Sequence, residues 1–166
     1  MSNRRHSQKG VLFLLRALIL VAAASLLATA TPALADFARH PASGAGALGA
    51  DTITSVSAAG GNTIVEGTSS GVLTGTFEAA FSESFRDIVH ADGSVDISAT
   101  VSLQGQTPCG SGRWTQALVV HVAPDGSFVG QTATIDAGSA TVAVQTEYLF
   151  RGAGNAFTYA GSYSCV

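Results

Sequence analysis

The stretch Ser94-Val95-Asp96-Ile97-Ser98-Ala99-Thr100-Val101-Ser102-Leu103-Gln104 decides the fold class. Val95, Ile97, Ala99, Val101 and Leu103 face one way. Ser94, Asp96, Ser98, Thr100, Ser102 and Gln104 face the other. Strict period-two alternation of this length marks a strand in a sheet with one buried face.

Working outward, the same pattern recurs. Trp114 to Val122 places Trp114, Leu118, Val120 and Val122 on one side. Val142, Val144, Tyr148 and Phe150 repeat it, as do Phe157, Tyr159 and Tyr163. Thr52 to Ser57 and Thr63 to Glu66 are shorter strand candidates. Phe77 to Phe85 fits a helical spacing too, but Phe77, Phe81 and Phe85 also share one face of a strand, and the surrounding β pattern favours the strand. Asp92-Gly93 and Asp125-Gly126 read as hairpin turns of type I′. The expectation is an all-β, antiparallel up-and-down meander of seven or eight strands. Closure into a β-barrel removes its two edges and is preferred over a β-sandwich.

The N-terminus reads differently. Arg4, Arg5 and Lys9 precede an apolar stretch from Val11 to Ala30, and Ala33-Leu34-Ala35 is a small-x-small cleavage signature. Residues 1–35 are therefore expected to be a secretory signal peptide cut between Ala35 and Asp36, exported by the general pathway rather than the twin-arginine one. The apolar run after Arg16 is shorter than the roughly 20 residues of a spanning helix, so no membrane span is expected after cleavage. Residues 36–50, Ala/Gly-rich with Pro41, read as a flexible tail. Residues 51–166 read as one β domain.

Beyond residue 35 the chain holds four arginines, no lysine and eleven acidic residues, a formal charge of −7. Phosphate binding needs clustered cations, which excludes nucleic acid as an expected partner. Cys109 and Cys165 are the only cysteines. An even pair in an exported chain points to a disulfide tying the last strand to a central loop. Neither a metal site nor a catalytic thiol has the necessary neighbours, and no cofactor is expected.

Other chemical motifs are weak. Gly67-Thr68-Ser69-Ser70-Gly71 matches a nucleophile elbow, but no helix follows it, so it reads as a Gly/Ser turn. His90 and His121 each end a strand before a turn and could approach one another; exposed strand-end histidines are the expectation. Glu83 alternates onto the face of Phe77, Phe81 and Phe85. Pointed inward, it would be a buried acid with a raised pKa. A bulge or strand end near Ser84 would turn it to solvent instead, and that outcome is expected. Gln116 shares the Trp114 face, as an interior hydrogen-bonding group or a residue satisfied near the barrel mouth. Phe77, Phe81, Glu83, Trp114 and Gln116 are the candidate ligand-lining residues; no catalytic residue stands out.

From Gly71 onward the chain resembles small bacterial β-barrel proteins similar to the allene oxide cyclase barrel and the lipocalin-like calycins. Gly75-Thr76-Phe77-Glu78, Asp92-Gly93-Ser94, Gly110-Ser111-Gly112-Arg113-Trp114, Asp125-Gly126-Ser127 and Tyr159-Ala160-Gly161-Ser162-Tyr163 carry the resemblance. It implies a barrel and, from the cyclase side, a hydrophobic cavity. The leading functional expectation is a monomeric, secreted, non-enzymatic barrel binding a small apolar molecule. A cyclase- or isomerase-like enzyme and a structural envelope protein are the alternatives.

Overall fold

The computed structural model describes residues 38–138 and 143–166. The expected signal peptide, its Ala35/Asp36 junction and Val142 lie outside the described residues. Nine antiparallel strands follow in chain order: β1 (His40–Leu48), β2 (Thr52–Ala59), β3 (Asn62–Gly75), β4 (Glu78–Val89), β5 (Val95–Thr107), β6 (Gly110–Val122), β7 (Ser127–Asp136), β8 (Val144–Ala153) and β9 (Ala156–Cys165). Each strand from β2 to β9 pairs with its sequence neighbour, and β1 pairs with both β9 and β3. Eight strands thus close into a barrel, as expected, and β2 is an additional strand outside the ring.

The pairing can be followed round the wall from Leu73 through Gly46, Phe157, Gly152, Phe128, Val122, Val95 and Val89 to Thr63. The path returns to β3 ten residues from its start. For eight strands this stagger tilts each strand by about 40° from the barrel axis, and leaves an interior that side chains fill or one small ligand occupies.

Two expectations along the N-terminal part are corrected. Residues 40–48 form a barrel strand rather than part of a flexible tail. Ala42, Gly44, Gly46 and Leu48 do alternate inward, but glycine erases the hydrophobic signal. Gly67–Gly71 is the middle of β3 rather than a turn.

The reason for both is one packing device. Tyr159 lies over Gly44, Phe157 over Gly46, Phe85 over Gly67, Phe81 over Gly71 and Phe150 over Gly130, each pair directly opposite across two strands. A Cβ on any of these glycines would enter the ring's van der Waals envelope. The missing side chain lets the ring lie flat along the wall instead of projecting to the axis.

The turns also differ in detail. Among the described residues only glycines have positive φ, Gly93 at 86° and Gly126 at 81° included, so neither Asp-Gly pair is a type I′ turn. Each loop is longer. Asp92 Oδ1 accepts the Ser94 N–H (2.9 Å) and hydroxyl (2.7 Å), and Asp125 Oδ1 does the same for Ser127 at 2.9 and 2.6 Å. Asp-Gly-Ser is therefore a side-chain-capped bend. The type I′ geometry appears at Gly60-Gly61, where both residues have positive φ between β2 and β3.

The barrel has two unlike ends. At one, Phe77, Leu103, Trp114, Val144 and Tyr159 are fully buried or nearly so. The Phe77 ring lies 5.8 Å from Tyr159 and 6.1 Å from both Trp114 and Tyr148, within the range of favourable aromatic pairs. Cys109, in the β5–β6 turn, is disulfide-bonded to Cys165 near the end of β9, with 5.3 Å between Cα atoms. The bond joins strands that are not neighbours and ties this closed end together. The opposite end carries the β4–β5, β6–β7 and β8–β9 turns. Leu48 N–H donates to Asn155 O (2.8 Å) there, so the wall between β1 and β9 stops at the β8–β9 turn while β2 and β3 continue. All eight residues of β2 are exposed.

Candidate ligand cavity

The open end is hollow. A cavity of ≈ 320 Å³ runs from Gln116 and Tyr148 up to Gly126 and Gly154 in the rim turns. Its walls are mostly apolar, from Ile97 and Val101 on β5, Leu118 and Val120 on β6, and Phe128 and Phe157 on β7 and β9. The volume sits at the small end of the range for ligand pockets, about 300–1,000 Å³. Flat-lying rings explain how a barrel with so many inward aromatics stays hollow: Phe81, Phe150 and Phe157 cover their opposing glycines and so form wall.

The proposed lining residues divide. Phe81, Glu83 and Gln116 border the cavity. Phe77 and Trp114 lie in the packed closed end instead, because Phe77 sits in the β3–β4 turn and Trp114 on β6 close to the β5–β6 turn. Tyr148, Thr132, Phe128, Phe150 and Phe157 line it without having been singled out. Their alternating positions were the available signal, but only the barrel's stagger tells which of them reach the open end.

Glu83 faces the interior, contrary to the expected turn to solvent. The β3–β4 pairing runs from Leu73↔Ala79 to Thr63↔Val89 without a bulge, so the alternation that carries Phe81 and Phe85 inward carries Glu83 with them. The Ser69 hydroxyl donates a 2.6 Å hydrogen bond to its Oε1. Burial pushes the carboxyl above the usual glutamate range, the Ser69 bond pulls it partly back, and the nearby Asp51 carboxylate raises it again. Asp87 follows four residues later on the same face. Burial, then the charges of Asp51 and Glu83, push it up to about 6. Its Oδ1 is buried without a hydrogen-bond partner among the described residues.

Polar groups at the cavity floor are joined. Gln116 is buried and its amide donates to Thr146 Oγ1 at 2.5 Å, while its carbonyl oxygen accepts the Tyr148 hydroxyl at 2.8 Å. Gln116 is thus an interior hydrogen-bonding residue satisfied by side chains rather than by backbone. Burial pushes the Tyr148 phenol up to about 12, against a lowering bond from Gln116. It is therefore a neutral donor at physiological pH.

His90 and His121 do come together, through a third residue. Asp96 Oδ2 lies 2.9 Å from His90 Nε2, and Oδ1 lies 2.8 Å from His121 Nδ1. The two histidine bonds, His121's first, hold the Asp96 carboxyl below its ordinary range. The group sits on the outer wall, away from the cavity. Among the described residues no cluster of three or more His, Cys, Asp or Glu is arranged to hold a metal ion.

The fold and cavity define a closed eight-stranded β-barrel with one packed end and one hollow, mostly apolar end. No family model, curated protein or solved structure matches this chain.

Proposed function

We propose that this protein is an extracytoplasmic, monomeric barrel that binds a small apolar molecule in its interior without transforming it. The cavity at the open end carries this reading. A filled barrel would point to a purely structural role, but the space above Gln116 and Tyr148 is of ligand size and lined by apolar side chains. The Cys109–Cys165 disulfide supports an oxidising compartment, and with it the reading of residues 1–35 as an export signal.

One observation favours a second reading, a cyclase- or isomerase-like enzyme of the kind the allene oxide cyclase resemblance implies. Glu83 is a carboxyl with a raised pKa in an apolar cavity, the setting in which acids serve as proton donors. The other polar side chains that line the cavity are Gln116, Thr132 and Tyr148, and none of them is a basic group to pair with the acid. Binding is the simpler consequence of the same geometry.

Native mass spectrometry of the disulfide-bonded protein, recovered from its own host, tests the proposal. A co-purified small molecule that dissociates on activation is the expected result. A clean protein mass, together with no binding of the neutral fluorophore N-phenyl-1-naphthylamine, overturns it.

A further inference from the structure

The cavity's charge is one-sided, and this narrows what it can take. Of the residues that line it, Glu83 alone carries a carboxyl or a basic group. Asp87, on the same inward face of β4, follows it toward the rim, and Asp51 in the β1–β2 connection is close enough to raise both carboxyls. None of the four arginines among the described residues lines the cavity. Arg86 lies on the opposite face of β4, 3.8 Å from Glu66, and Arg39 pairs with Glu147 at 3.2 Å. Arg113 donates to Gln104 on the exposed side, and Arg151 is exposed. His121 is exposed on the outer wall, and His90 is engaged with Asp96.

Resting on the binding proposal above, we infer that the cavity selects apolar molecules bearing a basic nitrogen over those bearing an acid. An alkyl or aryl body replaces water against Ile97, Leu118, Val120 and the Phe rings. An ammonium group near Glu83 supplies the opposite charge that the barrel wall lacks, in a low-dielectric setting where the pairing is strong. Ser69 engages Oε1 of Glu83, and Asp87 Oδ1 has no donor among the described residues, so both carboxyls retain acceptor capacity. An anionic head in the same place meets like charge and no donor cation. Fatty acids are therefore poor ligands, although their tails would fit.

The test compares three ligands of one chain length at neutral pH: decylamine, decanol and decanoate, each displacing N-phenyl-1-naphthylamine from the disulfide-bonded protein. Decylamine is expected to bind at least tenfold more tightly than decanoate, with decanol between them. In E83Q, and further in E83Q with D87N, the amine and the acid should converge on the alcohol. Equal affinities for all three in the unaltered protein leave the binding proposal standing and overturn the charge preference. Tightest binding of decanoate overturns it as well. Failure of the fluorophore to bind at all removes the binding proposal and this inference together.

Discussion

Ser69 and Glu83 are direct partners across the β3–β4 ladder, and inside the barrel the serine hydroxyl donates a 2.6 Å hydrogen bond to the glutamate carboxyl. The bond favours the ionised form, opposing the burial that favours the neutral one. S69A removes the opposing contribution and should raise the Glu83 pKa further. Carboxyl-carbon NMR titration of both proteins checks this; an unchanged or lower value in S69A contradicts it.

Asp87 gives a stability signature. Its carboxyl binds its proton up to about pH 6 in the folded state, well above its ordinary value near 3.8. Between these two values the folded chain holds more protons than the unfolded one, so this group's contribution to stability falls as pH rises. D87N removes that decline. The melting temperature of D87N relative to the unaltered protein should therefore rise between pH 4 and pH 7. A constant difference across that range counts against the assignment.

Gly130 sits under the Phe150 ring, and an added Cβ there would meet ring atoms. Glycine-to-alanine changes at compatible sites stabilise by about 0.4–1 kcal/mol through the unfolded chain. Here overpacking wins, and G130A should instead destabilise by about 1–3 kcal/mol in urea denaturation. G154A offers no comparison, because Gly154 has a positive φ of 59° and is strained for other residues regardless of space.

The disulfide spans 56 residues of sequence. On the chain-entropy model, closing such a loop contributes about 4 kcal/mol. C109S/C165S should lose a stability of that order. Because the bond lies at the closed end, the folded variant should still bind N-phenyl-1-naphthylamine with nearly the original affinity.

Tyr148 should ionise at about 12, since its phenol is buried against Gln116 at the cavity floor. In a 295 nm absorbance titration, Y148F should remove a step at about pH 12; an unchanged titration at that pH contradicts the assignment. Q116A should keep Tyr148 high and cost about 1–3 kcal/mol, the penalty for orphaning buried polar groups.

Legibility in the sequence followed the chemistry of the two faces. β5 was readable because Val95, Ile97, Val101 and Leu103 alternate with polar residues, and β6 and β9 were readable in the same way. β1 and the middle of β3 were not, because Gly44, Gly46, Gly67 and Gly71 occupy inward positions where an apolar residue would have marked the strand. Their meaning depends on rings that are remote in sequence, and no local pattern records that. The parity of Glu83 was legible. Its actual orientation required knowing that β4 pairs without a bulge. The influence of Asp51 was invisible, since it depends on how the β1–β2 connection folds back over β3, where Gly49 N–H donates to Ser70 O.

The unequal ends of the barrel separate its main packing contacts from the residues that line its hollow. The aromatic cluster around Phe77 and the disulfide lie at one end; Ile97, Val120, Val122 and Phe128 border the hollow at the other. Substitutions among the latter change the shape and polarity of the hollow while leaving the main anchoring contacts in place. The barrel is in this respect a ready scaffold: a library randomised at those four positions should retain a high fraction of folded members and yield receptors for molecules of quite different outline.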